Sequence, residues 1–200
     1  GLDYPLPDES QFSMVSKSGQ GIIIGYFGGL HFSRCQSIVA LAERLQDWRP
    51  NSVIRVYSHS KANVDPVPQN LSFHSAVYGA SLMNAIESCD VLLHVESFDP
   101  TIFDDIRYSI STKIPEAMSL RKPLIAVGPS KASSIALIKE NDLGIVLDEE
   151  FFQSSERPSL DAFGPMLSAD KLAYYSDRSY RYWQSNYSPA VLNRTLLNSL

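Results

Sequence analysis

The sequence holds 200 residues, with 17 basic and 22 acidic side chains and a formal net charge of −5. That length makes one domain with a sizeable core the default, and 44% hydrophobic with 20% charged content excludes a disordered chain. The acidic balance excludes general nucleic-acid binding, which needs a basic footprint, and the longest apolar runs, at 22–24, 91–93 and 124–127, are too short to span a bilayer.

Residues 1–20 carry Pro5 and Pro7, show no steady period and read as a linker or arm. Their acidic, proline-containing start is not a secretory signal, and a first residue of Gly rather than Met points to a processed or excised form. GIIIGYF (21–27) is a short apolar run that stops at Gly28-Gly29, as a buried strand does before a tight turn. Ser33 is placed to cap the next helix, in which Cys35, Ile38, Val39, Ala42 and Leu45 keep helical spacing as far as Trp48 and Pro50. SVIRVYS (52–58) and LSFHSAV (71–77) follow as strands, then a helix over 81–89 with Leu82, Ala85 and Ile86 on one face.

DVLLHVE (90–96) is almost continuously apolar, the pattern of a strand covered on both faces. A long loop, 97–110, leads into a helix opening at STKIPEAM. Strand 122–128, helix 133–141 and strand 144–148 come next, and from about 166 the chain reads helical with a break near Ser188-Pro189. Strands and helices joined by short connections predict an α/β fold over residues 21–200: a doubly wound, parallel, six-stranded Rossmann-like sheet with helices on both faces. Strand order is not set by this pattern.

Cys35 and Cys89 follow no metal-ligand spacing and sit among apolar positions, so they read as reduced core thiols of a cytoplasmic protein. His31, His59, His74 and His94 form no helical pair, which predicts no protein-built metal site. His94, inside a strand, reads as a satisfied core histidine.

In parallel sheets ligands bind beyond the carboxyl ends of the strands. Gly28 and Gly29 would let a ligand approach the backbone at such an end, with His31 nearby and Arg34 in the first helical turn; they would equally make a simple tight turn. Ser111 or Thr112 is a natural N-cap, and Pro115 is tolerated in a first turn. Lys113 is disfavoured there by the helix dipole unless an anion or solvent compensates. Glu116, three residues on, either offers two acceptor oxygens to a diol or pairs with Lys113 on the surface.

The segments DVLLHVESFD and RYSISTKIPEAMSLRKPLIAVGP, with IIIGYFGGL and Arg34 upstream and YWQSNYSPAVLNRTLLNSL at the end, resemble the donor-binding domain of GT-B glycosyltransferases of retaining family 4. The resemblance covers roughly residues 20–200. It implies that Glu116 binds the donor ribose. Arg34 and Lys113 would neutralise the diphosphate as the catalytic cations, aided by the Gly28-Gly29 backbone and the Ser111 and Thr112 hydroxyls. Ser75, Ala76, Val77 and Tyr78 would pack on the nucleobase, and Glu96 and Ser97 would face the sugar. Tyr108 stands where the family often has a second Glu, and Arg121 where it usually has Gly.

The resemblance further implies a UDP- or GDP-sugar donor, no required metal or other cofactor, and a missing N-terminal acceptor domain. A role in polysaccharide or glycoconjugate synthesis, with peripheral membrane association of the full enzyme, belongs to the same expectation. The rival expectations are a non-catalytic nucleotide- or protein-binding module and a sugar-nucleotide epimerase of the same fold.

Overall fold

The apolar runs become strands in the computed structural model, which describes residues 21–60, 62–153 and 164–198; the arm expected over 1–20 lies outside the described residues. The strands are β1 (Ile23–Phe27), β2 (Val53–Ser58), β3 (Leu71–Ser75), β4 (Val91–Val95), β5 (Leu124–Val127) and β6 (Ile145–Leu147). All neighbours pair in parallel, in the order β3-β2-β1-β4-β5-β6. The chain steps outward from β1 to β3, then returns to lay β4 against the other side of β1. That reversal opens a crevice between the carboxyl ends of β1 and β4.

The helices are α1 (Arg34–Trp48), α2 (Gly79–Glu87), α3 (Phe103–Ile106), α4 (Lys113–Ser119), α5 (Ser133–Glu140), α6 (Glu149–Gln153), α7 (Ala169–Asn186) and α8 (Pro189–Asn198). Alternation along β1 sends Ile22, Ile24 and Tyr26 to one face, where they meet Ile38, Leu41 and Leu45 of α1. The opposite face gathers Ile86 of α2, Ile114 and Met118 of α4 and Ile135 and Ile138 of α5. β4 and β5 are buried along their whole length, as their unbroken apolar sequence requires, whereas β2 buries only alternate residues. Helix α7 belongs to both layers: Leu172 and Tyr175 join the first and Trp183 the second.

Four details depart from the sequence reading. β3 ends at Ser75, so Ala76, Val77 and Tyr78 lie in the connection to α2, which begins at Gly79 with φ +53°. Ser33 stands at the start of α1 but in the left-handed region, φ 59°, and its side chain caps nothing. Thr112 precedes α4 in helical geometry, also without a side-chain cap. The segment expected as a loop over 97–110 contains a 3-10 turn, Pro100–Ile102, and α3; the Asp99 carboxylate accepts from the Thr101 amide at 2.9 Å and hydroxyl at 2.7 Å. Asp-Pro-Thr is a helix-start signal, which the short apolar content around it obscured.

Both cysteines are free, Cys89 buried and Cys35 half-buried against the core rather than inside it. Burial pushes both thiols up.

Arg121 ends α4 at φ 52°. Its amide donates to Met118 O and that of Lys122 to Ala117 O, each at 3.1 Å, the paired bonds of a Schellman close, in which glycine is the usual left-handed residue. Arginine is retained here with its guanidinium 4.0 Å from the Tyr180 ring centroid and its carbonyl accepting from Ser176 Oγ at 2.6 Å. Arg121→Gly relieves a left-handed cost of about 1 kcal/mol while losing a cation–π contact of about 1 kcal/mol, so chemical denaturation should show little net change. Arg121→Val, which keeps the strain and loses the contact, should destabilise by more than about 1 kcal/mol.

Candidate functional site

The crevice between β1 and β4 gathers an ionic cluster. Arg34, the first residue of α1, reaches Glu96, which directly follows β4: Arg34 Nη2 lies 2.9 Å from Glu96 Oε2. His94 is two residues before Glu96, so the pleat turns both side chains the same way. His94 Nε2 lies 3.2 Å from Glu96 Oε1, off the line of a well-formed hydrogen bond. Glu96 is only 5% exposed. Burial acts to raise its carboxyl pKa, yet His94 and Arg34 together hold it below the ordinary glutamate value.

Tyr26 underlies this cluster. Its hydroxyl donates to Gly29 O at 2.6 Å, and burial pushes its pKa up to about 12 against the pull of Arg34. The Gly28 amide already donates to Tyr57 O at 3.0 Å, so Gly28 contributes space rather than a donor. That space is used: a Cβ on Gly28 would stand 3.2 Å from Lys113 Nζ and 3.3 Å from the Tyr26 hydroxyl. The Lys113 amine therefore hangs over the end of β1, although its helix follows β4. A Cβ on Gly29 would collide with the His31 ring at 2.3 Å; His31 itself lies edge-on to Phe32.

Lys113 and Glu116 are both exposed, and no salt bridge joins them. The surface-pair reading of these two residues does not describe the structure. Glu116 shares the short α4 with Lys113 but forms no salt bridge with Arg34 or His94 of the ionic cluster. Ser97 is fully buried, its hydroxyl accepting from the Asp99 amide at 2.9 Å, so it shapes the loop after β4. Thr112 is exposed and Ser111 half-buried, its amide held by Ser134. Ser75 and Tyr78 are exposed two strands away from the cluster, beside β3, where the Tyr78 hydroxyl meets His59 Nδ1 at 2.9 Å. A ladder of rings crosses the sheet towards them: Phe27 stacks on Tyr57 at 4.7 Å and Tyr57 on His74 at 5.0 Å.

Sequence reasoning passed over Tyr26 and took His94 for a plain core residue. The signal was available in HVE, since an imidazole and a carboxylate two apart at a strand end share a face. Among the described residues no three His, Cys, Asp or Glu side chains gather as a metal site, and no helix is long and apolar enough to cross a membrane.

No protein-family model matches the sequence, and no curated protein sequence matches it significantly. Solved structures do match. The C-terminal domain of a glycosyl transferase group 1 family protein, LpcC of Francisella tularensis, superposes with a TM-score of 0.57 at 14% identity, over 85% of this chain and 88% of that one. Alr3699/HepE of Anabaena, solved with UDP and glucose, gives 0.62 at 16% identity over 90% of this chain and 48% of its own length. TarM gives 0.61 at 14% identity, over 88% and 34%. The fold is that of a glycosyltransferase C-terminal domain. Against the last two proteins the chain spans half of their length or less.

The Glu96 cluster has a pH signature. A carboxyl held below its ordinary value near 4.5 in the folded state contributes stability that is fully present above that value and lost as pH falls through the folded pKa. Acid titration of unfolding free energy should therefore drop below about pH 4.5 more steeply in the wild type than in Glu96→Gln. At neutral pH Glu96→Ala, which leaves Arg34 without its partner, should cost about 3 kcal/mol by urea denaturation.

Proposed function

We propose that this chain is the donor-binding half of a glycosyltransferase, taking a nucleoside-diphosphate sugar in the crevice between β1 and β4. The observation that carries the reading is Lys113 Nζ poised over Gly28 without a carboxylate partner. A cation in that state, beside a glycine that keeps the backbone open, suits a diphosphate. The fold likeness to glycosyltransferases, among them one solved with UDP and glucose, supports the same choice.

In this reading Lys113 takes the diphosphate oxygens and Arg34 lends its outward edge while Glu96 holds the other. Glu116 accepts the ribose hydroxyls, Ser111 and Thr112 add hydroxyl contacts, and the residues from Ser75 to Tyr78 face the base. Transfer breaks the bond from the anomeric carbon to the diphosphate oxygen, whose electron pair leaves with the diphosphate, and forms a bond from that carbon to an acceptor hydroxyl oxygen, whose proton passes to the departing diphosphate. Cations fixed beforehand at that leaving group favour the transition state over the ground state. The charge comes from protein side chains, so the proposal needs no metal. An N-terminal domain would orient the acceptor, with glycoconjugate or polysaccharide assembly in the cytoplasm, at times against a membrane surface, as the setting. Hexosyl transfer with retention is part of the proposal.

Calorimetric titration with UDP and GDP, each with and without EDTA, tests it. One of the two should bind in both conditions, and Glu116→Ala should weaken it by about 1.5–3 kcal/mol, as for a hydrogen bond to a charged group. Lys113→Met should weaken the diphosphate by at least about tenfold and the bare nucleoside hardly at all. Binding of neither nucleotide by the wild type would sink the reading.

A further inference from the structure

Residues 107–112 link α3 to α4 and so decide where Lys113 stands. Tyr108 is 79% exposed and Ile110 45%, and Ser109 is exposed as well, so hydrophobic burial does little to hold this segment. Its backbone is held instead. The Ser134 hydroxyl accepts from the Ser111 amide at 3.0 Å and donates to Ser109 O at 3.1 Å. Beside it, the Ser133 amide donates to Arg107 O at 3.1 Å, and the Ser133 hydroxyl donates to the same carbonyl. Three alternate residues of the segment, 107, 109 and 111, are thus fastened to two successive serines at the start of α5. Ser134 is fully buried, and both of its hydroxyl's bonds are spent on this one segment.

Residues 107 and 108 form a turn at the end of α3, and 109–111 lie in neither helix nor strand, so the bonds to α5 anchor backbone that no helix or sheet ladder holds. The fastening stops one residue short of Thr112 and two short of Lys113, whose amine must span from α4 to the end of β1. Lys113 has a long, freely rotating stem, so its reach depends on where its own backbone is anchored.

We infer that Ser134 is a positioning residue for nucleotide binding: it clamps the backbone at residues 109 and 111 and thereby sets Lys113 over Gly28. Ser133 is the lesser member of the same clamp. The role of the clamp in binding rests on the diphosphate reading of Lys113, whereas the clamp itself does not. Ser134 touches no ligand in this scheme and acts only through the segment it holds.

The test uses the whole chain with Ser134→Ala, Ser133→Ala, Lys113→Met and the double variant of Ser134 and Lys113. Hydrogen exchange, which needs no ligand, should show faster exchange at the amides of 107–113 in Ser134→Ala and unchanged protection in β1 and β4. UDP or GDP, whichever the wild type binds, should bind several-fold more weakly to Ser134→Ala and slightly more weakly to Ser133→Ala. In the Lys113→Met background, Ser134→Ala should cost markedly less than in the wild type, since most of its effect passes through the Lys113 contact and only the remainder through Ser111, Thr112 and Glu116. Unchanged exchange over 107–113 would overturn the clamp. An equal loss of affinity with and without Lys113 would overturn the positioning role and leave general destabilisation in its place. A wild type that bound neither nucleotide, with the segment loosened by Ser134→Ala, would overturn the diphosphate reading and support the clamp. Should Ser134→Ala fail to fold, Ser133→Ala carries the same comparisons.

Discussion

A carboxylate with almost no contact with water demands neutralisation, and much of this site follows from that demand. Glu96 occupies the floor of the crevice where the sheet changes direction. Its partners come from the two elements that flank the crevice, His94 from β4 and Arg34 from the start of α1. A buried pair of this kind adds little net stability over an apolar substitute, but removing one member is costly because the other charge stays behind. The pair therefore fixes geometry more than it strengthens the fold. It ties the first turn of α1 to the end of β4 and holds one edge of a guanidinium away from the crevice.

The division of labour between the two cations follows. Arg34 and Lys113 look equivalent in the sequence, two basic residues at helix starts. In three dimensions Arg34 is half committed to a structural anion, and Lys113 has no carboxylate partner. A ligand with several negative oxygens would find one rigid, partly satisfied donor and one free to adjust. The glycine at position 28 serves the second, by leaving room for an amine that arrives from another helix.

The architecture was legible because parallel strands buried on both faces write themselves as unbroken apolar runs, as at 91–95 and 124–127, and each was found within a residue or two of its observed limits. The order of the strands was not legible, since pairing across the sheet depends on contacts far apart in sequence. Nor was the state of Lys113 and Glu116: an i,i+3 spacing allows a salt bridge without requiring one, and only the fold shows that the lysine reaches elsewhere. The serines at 133 and 134 looked like ordinary helix-start residues. Their partners lie more than twenty positions away, and no local pattern announces a hydroxyl spent on distant backbone. The arginine at 121 was noticed as a departure from glycine, but the ring and hydroxyl that accommodate it sit on α7, again remote in sequence.

Helix α7 has a consequence of a different kind. At 18 residues it is about 27 Å long, and it contributes side chains to the apolar layers on both sides of the sheet. It also grips the ends of two helices of the second layer, through Ser176 on Arg121 O and Arg178 on Asn141 O. A sheet with separate layers could lose one while keeping the other. Here a single rod runs through both, so loosening either layer strips contacts from an element that the other also needs. The two halves of the core are therefore expected to melt as one cooperative unit, with the crevice at their common edge sharing in that cooperativity.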